Sequence, residues 1–333
     1  MRRVLIVGTG IGGSFLHRLL KGRDGIEVQT FDTGIGHGRC GIHPCGFGVD
    51  SRFLSLLKLV NLDPKDYITR HDRCAYLDGI EVMADLYTID KPKLIGDLGQ
   101  DIVRLPGPGS GPISYASWKD DIVVDATGVA RALGSPIYEA DDMLSHTYQV
   151  KVRARVKYPQ FFFHNKVGYS WIMPLTDSTA HIGCGALKGD REWVLTQVNN
   201  LVESATKSSA ICACFSRIRL TGPILDTLVE GNTVHIGEAA GLVSPITGAG
   251  NVPAMISAHL LSTFLASISD YPKAVRERFS PLLDEAKFIK GLRRGDKPHL
   301  SSIPQLRGAL NRAGFYPNLL ELSKLVKKLR SIL

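Results

Sequence analysis

Apolar and polar positions alternate along this chain with two different periods, and the changes of period mark its elements. Val4 to Val7 is a continuous apolar run, short enough for a strand buried on both faces. Gly8-Thr9-Gly10-Ile11-Gly12-Gly13 follows at once, and Phe15, Leu16, Leu19 and Leu20 then recur at helical spacing. A second strand is expected over Ile26–Phe31, ending at Asp32. Residues 51–68 open as a helix and turn at Asp63-Pro64, and strands are expected within 75–95. Ile122 to Asp125 reads as another buried strand, running into the small-residue turn Ala126-Thr127-Gly128. From Tyr148 the period changes to two. Val150, Val152, Ala154 and Val156 share one face, and Lys151, Arg153, Arg155 and Lys157 share the other. That pattern predicts a half-exposed antiparallel strand, at the edge or on the outer face of a second sheet. Further strands are expected at 167–174, 179–186, 215–221 and 232–237, with a helix over 190–206 and a helical C-terminus.

These elements predict an α/β protein: a Rossmann-like dinucleotide-binding domain beside a second, mostly antiparallel β-sheet domain, with a helical C-terminus. The expected boundaries are 1–66 with 86–147 and 226–270 for the first, discontinuous domain. Residues 67–85 with 148–225 form the second, and 271–333 form a basic helical region. The 333 residues suffice for one or two joined domains with a large core.

The stretch Ala239–Ser269 contains no Lys, Arg, Asp or Glu, which raises the question of a membrane span. Pro245, Gly248, Gly250 and Pro253 interrupt it, so a continuous helix can begin only near Pro253. What remains falls short of the ~20 residues a span needs, and a buried helix is expected. The net charge of +8 is concentrated at one end. Eleven Lys/Arg face two acids between Lys287 and Leu333. That bias suits an anionic membrane surface or a phosphorylated substrate. No nucleic-acid-binding signature accompanies it, so no nucleic-acid partner is expected. Arg2 and Arg3 lead into a run too short for a signal peptide, and six Cys without such a signal suggest free thiols in a reducing cytoplasm. Neither Cys212-x-Cys214 nor Cys40-x4-Cys45 has zinc spacing, so no metal is expected.

Strand, glycine turn, helix, strand and terminal acid are the parts of a dinucleotide-binding unit. Gly8 would make the tight turn, Gly10 would admit a pyrophosphate, and Gly13 would let helix and strand pack, with Gly12 between them. Asp32 would accept from ribose hydroxyls. The unit by itself does not separate FAD from NAD.

Two further blocks carry a resemblance. Gly237-Glu238-Ala239-Ala240-Gly241 through Pro245, Gly248 and Gly250 resembles the G-D-A-A-G-x-x-x-P-x-x-G-x-G block of FAD enzymes built like p-hydroxybenzoate hydroxylase. Tyr169-Ser170-Trp171-Ile172-Met173-Pro174, followed by Gly183-Cys184-Gly185, is similar to the Y-x-W-x-F-P…G-x-G signature of geranylgeranyl reductases. Glu238 stands for the usual Asp and Met173 for the usual Phe. Pro44-Cys45-Gly46-Phe47-Gly48 resembles that family's cysteine–glycine loop beside the flavin, and Arg39-Cys40-Gly41 is a competing alignment.

The resemblance implies FAD as cofactor, held by the glycine turn, Asp32, Cys45, Gly46, Gly48, Ala126, Gly128, Gly237, Glu238, Gly248, Gly250 and Asn251. Lys91 lies where the family has an arginine heading a helix. It implies a prenyl lipid substrate along Tyr169, Trp171, Met173, Pro174, Gly183 and Gly185, with Cys45 at the reacting end. A reduced donor, NADPH or a ferredoxin-like protein, would supply electrons. The site would lie in the cytoplasm, peripheral to the membrane. Flavin halogenases carry a related W-x-W-x-I-P block, so a flavin monooxygenase or halogenase is the alternative, and the short middle segment also fits an electron-transfer or degenerate flavin protein.

Overall fold

A computed structural model describes residues 1–31, 45–102, 122–138, 142–206 and 209–333. Asp32 and the alternative cysteine Cys40 therefore lie outside the described residues, as does most of the segment between Lys91 and Asp125. The first sheet is built on β1 (Arg2–Val7), which leads through α1 (Ile11–Leu20) to β2 (Ile26–Phe31). The chain continues through β3 (Gly48–Asp50), α2 (Arg52–Lys58), the long strands β4 (Ile68–Leu77) and β5 (Ile80–Ile89), and α3 (Lys91–Leu98). It returns as β6 (Ile122–Asp125), then supplies β7 (Leu144–Arg153), β8 (Gln160–His164), β9 (Gly168–Pro174), β10 (Thr179–Ala186), α4 (Arg191–Ala205) and β11 (Ala210–Arg219). After β12 (Val229–Glu230) and β13 (Thr233–His235) come α5 (Asn251–Phe264), α6 (Tyr271–Arg294), α7 (Ile303–Arg312), β14 (Phe315–Tyr316) and α8 (Leu319–Ile332).

The first sheet has the order β12-β13-β6-β1-β2, parallel except for β12. Val4 and Ile6 face α1 and α5, packing on Phe15, Leu16, Met255 and Leu261, while Leu5, Val7 and Val123 face a smaller cluster on the other side. Burial on both faces explains the unbroken apolar run. The helix α5 is short and mostly buried against this core, and no helix among the described residues is long and apolar enough to cross a membrane.

The second sheet runs β11-β7-β10-β9-β8-β4-β5-β14, with β3 also pairing on β5. Its neighbours are antiparallel apart from β4 and β8. β7 is an interior strand, flanked by β11 and β10, so its two-residue period comes from its faces and not from an edge position. Val150 and Val152 pack under α4 with Val194 and Val198. The other face is buried at Ser145, Thr147 and Gln149 and becomes charged only at its far end.

The C-terminal helices close the second sheet. Leu306 and Leu310 on α7, with Leu322, Leu325 and Val326 on α8, pack against Ala75, Leu77, Val82, Ala84 and Trp171. β14 adds an unforeseen strand, setting Phe315 and Tyr316 opposite Ala84 and Met83. One cysteine departs from the free-thiol expectation: Cys212 is disulfide-bonded, whereas Cys45, Cys74, Cys184 and Cys214 are free.

A buried carboxylate ties this C-terminal layer to the loop that precedes α5. Glu285 on α6 is fully buried and accepts from Arg312 Nη2 at 2.6 Å and from the Ser244 hydroxyl. Arg312→Leu would leave that carboxylate enclosed without its cation, and the expected loss is about 3 kcal/mol. A urea titration should show a lower midpoint at unchanged slope. Glu285→Gln in the same background should recover most of the loss.

Candidate functional site

A single cavity of about 410 Å³ lies between the two sheets and under the C-terminal helices. Its first end is formed by helix N-termini. Gly10 precedes α1 and Gly250 precedes α5, and neither helix has a side-chain cap. Both openings line the cavity, through Gly10, Gly12 and Gly13 on one side and Gly250 and Asn251 on the other. Uncapped first-turn amides at two helix N-termini on one cavity suit an anion. The glycine turn leaves room for such a ligand. Gly8 has φ +108°, and a Cβ there would fall 2.4 Å from the Ala126 carbonyl oxygen. A Cβ on Gly13 would fall 2.0 Å from the Gly8 oxygen, whereas one on Gly10 would meet nothing within 4 Å. Gly8 and Gly13 therefore let the backbone close on itself, and Gly10 faces open cavity. The donor set fits a dinucleotide.

Asp125 in the second block is turned away from this end. It accepts from Thr127 N and Oγ1 at 2.9 and 2.6 Å and meets His235 Nδ1 at 3.1 Å. His235 Nε2 meets Glu230 at 3.1 Å, and Arg131 donates to Glu230 at 3.2 Å and to the Ala239 carbonyl at 2.7 Å. Burial pushes the Asp125 carboxyl up, but hydrogen bonds from His235 and Thr127 outweigh it and hold it below its ordinary range. This network fixes the turn that places Ala126 and Gly128 on the cavity wall. Sequence reasoning named the turn and missed the network, because His235 and Glu230 are 100 or more residues away.

Glu238 lines the cavity next to Gly237. Its Oε1 accepts from the Arg219 backbone N–H at 2.7 Å, and the Arg219 side chain is clamped on Asp142 at 2.8 and 3.1 Å. The residue keeps some surface where it opens onto the cavity, but protein encloses that space. Burial therefore raises its pKa to about 7, only partly offset by Arg219 and by Lys91, which heads α3 and lines the same cavity.

The loop from Cys45 to Gly48 is gripped by three residues from elsewhere in the chain, His181, Asn251 and Met173. His181 Nδ1–H donates to the Cys45 carbonyl at 3.0 Å, and its ring stands edge-on to Phe47 at 4.6 Å. Asn251 Nδ2 and Phe47 N approach Cys45 Sγ at 3.5 and 3.4 Å. Phe47 itself has φ +61°, a strained conformation for a bulky residue. Met173 fills the space above the two glycines, where a Cβ on Gly46 or Gly48 would lie 2.9 or 3.3 Å from it. Desolvation drives the His181 pKa down to about 3, so the ring stays neutral and its Nδ1 proton remains available to the carbonyl.

Of the second motif, Tyr169, Trp171, Met173 and Gly185 reach the cavity, whereas Pro174 and Gly183 do not. Gly183 instead lies behind Trp171, where a Cβ would fall 2.2 Å from the indole. The indole N–H donates to Gln149 Oε1 at 3.1 Å. Tyr169 O–H donates to the Thr247 carbonyl at 2.5 Å, and burial holds its pKa far above the ordinary phenol value. Its proton is committed to the glycine-rich loop before α5, so Tyr169 joins the two blocks physically.

The far end of the cavity was not anticipated. Phe161, Phe163, Leu306, Leu310, Phe315 and Leu329 wall it, drawn from β8, α7, β14 and α8. A third wall on β7 is polar, with Ser145 and Thr147, and the Thr147 hydroxyl is buried without a partner among the described residues. The signal was present: the polar face of β7 continues N-terminally through Ser145, Thr147 and Gln149.

No family model matches the chain. It is 27% identical to an uncharacterised protein of Methanocaldococcus jannaschii, over 86% of this chain and 91% of that one. It is 28% identical to digeranylgeranylglycerophospholipid reductase 3 of Methanosphaera stadtmanae, over 38% of this chain and 34% of that protein. In fold it is similar to a geranylgeranyl bacteriochlorophyll reductase-like protein of Thermoplasma acidophilum, with TM-score 0.74, 18% identity and full coverage of both chains. It is also similar to a tryptophan 6-halogenase of Streptomyces toxytricini, with TM-score 0.68, 12% identity and 99% and 96% coverage. These likenesses show a shared fold, a Rossmann-like sheet beside a second, mostly antiparallel one.

Two outcomes test this geometry. His181→Leu should free the Cys45 loop and raise the rate of Cys45 alkylation several-fold in the folded protein, while His181→Gln, which can still donate, should restore much of the protection. In the protein without a bound ligand, Glu238 binds its proton more tightly folded than unfolded. Its unfolded pKa lies near 4.5, so stability should fall as pH rises from there to about 7. Glu238→Gln should flatten that slope and add about 1–3 kcal/mol above pH 7, read from urea midpoints across pH.

Proposed function

We propose, from the premise that this chain belongs with the geranylgeranyl reductase family, that it is an FAD-dependent reductase. It would saturate C=C bonds in the isoprenoid chains of a lipid. The observation that carries the reading is the continuity of one cavity from the paired helix N-termini to an apolar end walled by Phe161, Phe163, Leu306, Leu310, Phe315 and Leu329. A long flexible hydrocarbon gains from such a channel in proportion to the apolar area it removes from water.

FAD would be held by Gly8, Gly10, Gly12, Gly13 and Asp32 at its adenosine and pyrophosphate. Gly128, Gly237, Glu238, Gly248, Gly250 and Asn251 would hold it towards the flavin, with Lys91 adding a charge. FAD would supply the hydride chemistry. The chain's own residues would do the rest. Trp171, pinned by Gln149 and seated on Gly183, fixes one wall of the channel. Met173, a flexible side chain, adapts to the prenyl chain while keeping the Cys45 loop down. Asn251 and the His181 clamp hold the Cys45 thiol at the joint of the two regions, where it would attend the proton delivered to the alkene. An unactivated alkene offers no carbonyl to polarise, so positioning and exclusion of water supply most of the effect. The electrons would come from NADPH or a ferredoxin-like donor.

The likeness to halogenases favours a second reading, a flavin monooxygenase or halogenase. Purified protein should show a flavin absorption spectrum whose extracted cofactor has the mass of FAD, and anaerobic turnover should add hydrogen pairs to a geranylgeranyl lipid. Strictly oxygen-dependent product formation would favour the second reading, and strong flavin colour without turnover would favour an electron-transfer role. Trp171→Ala should lower turnover of long prenyl substrates at least tenfold with bound flavin unchanged. Loss of flavin in that variant would sink the channel assignment.

A further inference from the structure

A second, smaller cavity of about 40 Å³ lies behind the loop that heads α5. Thr247 and Ala249 line both cavities, so the loop from Ser244 to Gly250 stands between them. A group held in the small cavity is therefore outside the channel. Three helices each deliver a guanidinium to it: Arg52 from α2, Arg278 from α6 and Arg312 from α7. Its floor is apolar, made by Ile256, Phe279 and Leu282.

The protein answers two of the three charges. Arg52 Nε and Nη2 hold Asp50 at 2.7 and 2.9 Å, and Nη2 also donates to the Arg312 carbonyl at 2.9 Å. Arg312 Nη2 donates to Glu285. The third charge is unanswered: Arg278 is exposed and has no ion pair or hydrogen bond among the described residues. Three cations against two carboxylates leave one positive charge in excess. Donors are in excess as well. Arg52 Nη1 and Arg312 Nη1 make no hydrogen bond among the described residues, and Arg312 Nε is buried without one. Guanidiniums gathered over an apolar floor repel one another through a medium that screens poorly, and a bound anion relieves that repulsion.

The shape selects among anions. Donors approach from three helices, so an oxyanion with at least three oxygens can meet all of them, whereas a carboxylate has only two. Arginine forks suit phosphate for this reason. The volume holds only a few water-sized groups, enough for one phosphoryl group and too small for a sugar or base beside it. Arg278 stands at the exposed rim, where a fourth oxygen could carry a substituent out into solvent.

We propose that this pocket binds a soluble phosphate, either free or as the terminal monoester of a small metabolite, separately from the channel and its ligand. The site stands whether or not the channel takes a prenyl lipid. Bound phosphate would bridge α2, α6 and α7 through their arginines. Glu285, the partner of Arg312, also receives the Ser244 hydroxyl, so an occupied pocket would brace the loop before α5 from behind.

Isothermal titration calorimetry of the full chain at fixed ionic strength tests this with inorganic phosphate, glycerol 3-phosphate and, as an uncharged control, glycerol. Both phosphate probes should bind and glycerol should not. Equal affinities would identify phosphate itself as the ligand, and tighter binding of glycerol 3-phosphate a monoester. The helix N-termini of the large cavity also suit a phosphate, so the position is read from variants. Arg278→Gln, at an exposed position outside the large cavity, should weaken binding about tenfold, the usual consequence of losing a hydrogen bond between charged groups. Arg278→Lys should recover part of that loss. Arg52→Lys, which keeps a cation beside Asp50, should weaken binding several-fold. Arg312 is left intact, because its removal would strand Glu285. The rise of melting temperature with added phosphate should follow the same order. Failure of both phosphate probes to bind would overturn the proposal. So would equally tight binding to Arg278→Gln and the unaltered chain, because the signal would then belong to the helix N-termini.

Discussion

Two helices, α1 and α5, begin at the same cavity without side-chain caps, and that is the constraint the remaining structure serves. First-turn amides that lack a cap must find water or a ligand. Holding two such ends together requires close packing behind them. Gly12 of α1 sits against Ala254 of α5, and Gly8 closes on Ala126. The buried Asp125–His235–Glu230–Arg131 chain then braces the turn after β6, and Tyr169 braces the loop before α5. Each brace joins an element of one sheet region to a residue far away in sequence. An anion site of this kind is therefore a property of the assembled layers, even though its glycines are local.

That division explains what was legible in the sequence. The strand–turn–helix unit could be read because each part answers to its immediate neighbours: apolar runs, glycines at fixed offsets and a helical stripe. The aromatic block could also be read, and Tyr169, Trp171 and Met173 do face the cavity. Gly183 shows the limit. It is part of the motif, yet it contacts the indole and not the cavity, so its role is to seat Trp171. The His181 clamp was invisible because its partner, the Cys45 carbonyl, is 136 residues away and carries no side-chain identity. β14 was invisible because two residues hold no periodicity.

The C-terminal region illustrates how charge can hide structure. Its basic residues suggest a solvated surface, and Lys324 and Lys327 on α8 are indeed exposed. Its inner face is different: Leu306, Leu310, Phe315 and Leu329 complete the cavity. A helix that is cationic on one side and apolar on the other reads in composition as simply basic. Only the sheet behind it, supplied by β4 and β5, determines that its leucines line a channel.

The cavity is polar where strands from the middle of the chain meet the first sheet and apolar where the last helices close it. Ser145, Thr147 and Glu238 lie on the polar stretch, and the unpartnered Thr147 hydroxyl there represents an unmet hydrogen bond. A purely hydrocarbon ligand would leave that group unsatisfied, at a cost of about 1–3 kcal/mol. A ligand polar at one end and extended and apolar at the other satisfies both stretches together. The same asymmetry gives such a ligand one orientation in the channel. Under the proposed reductase reading, the reacting bond would be selected by how far the chain reaches past Trp171 before the apolar wall stops it, a matter of length and fit that needs no hydrogen bond to the alkene itself.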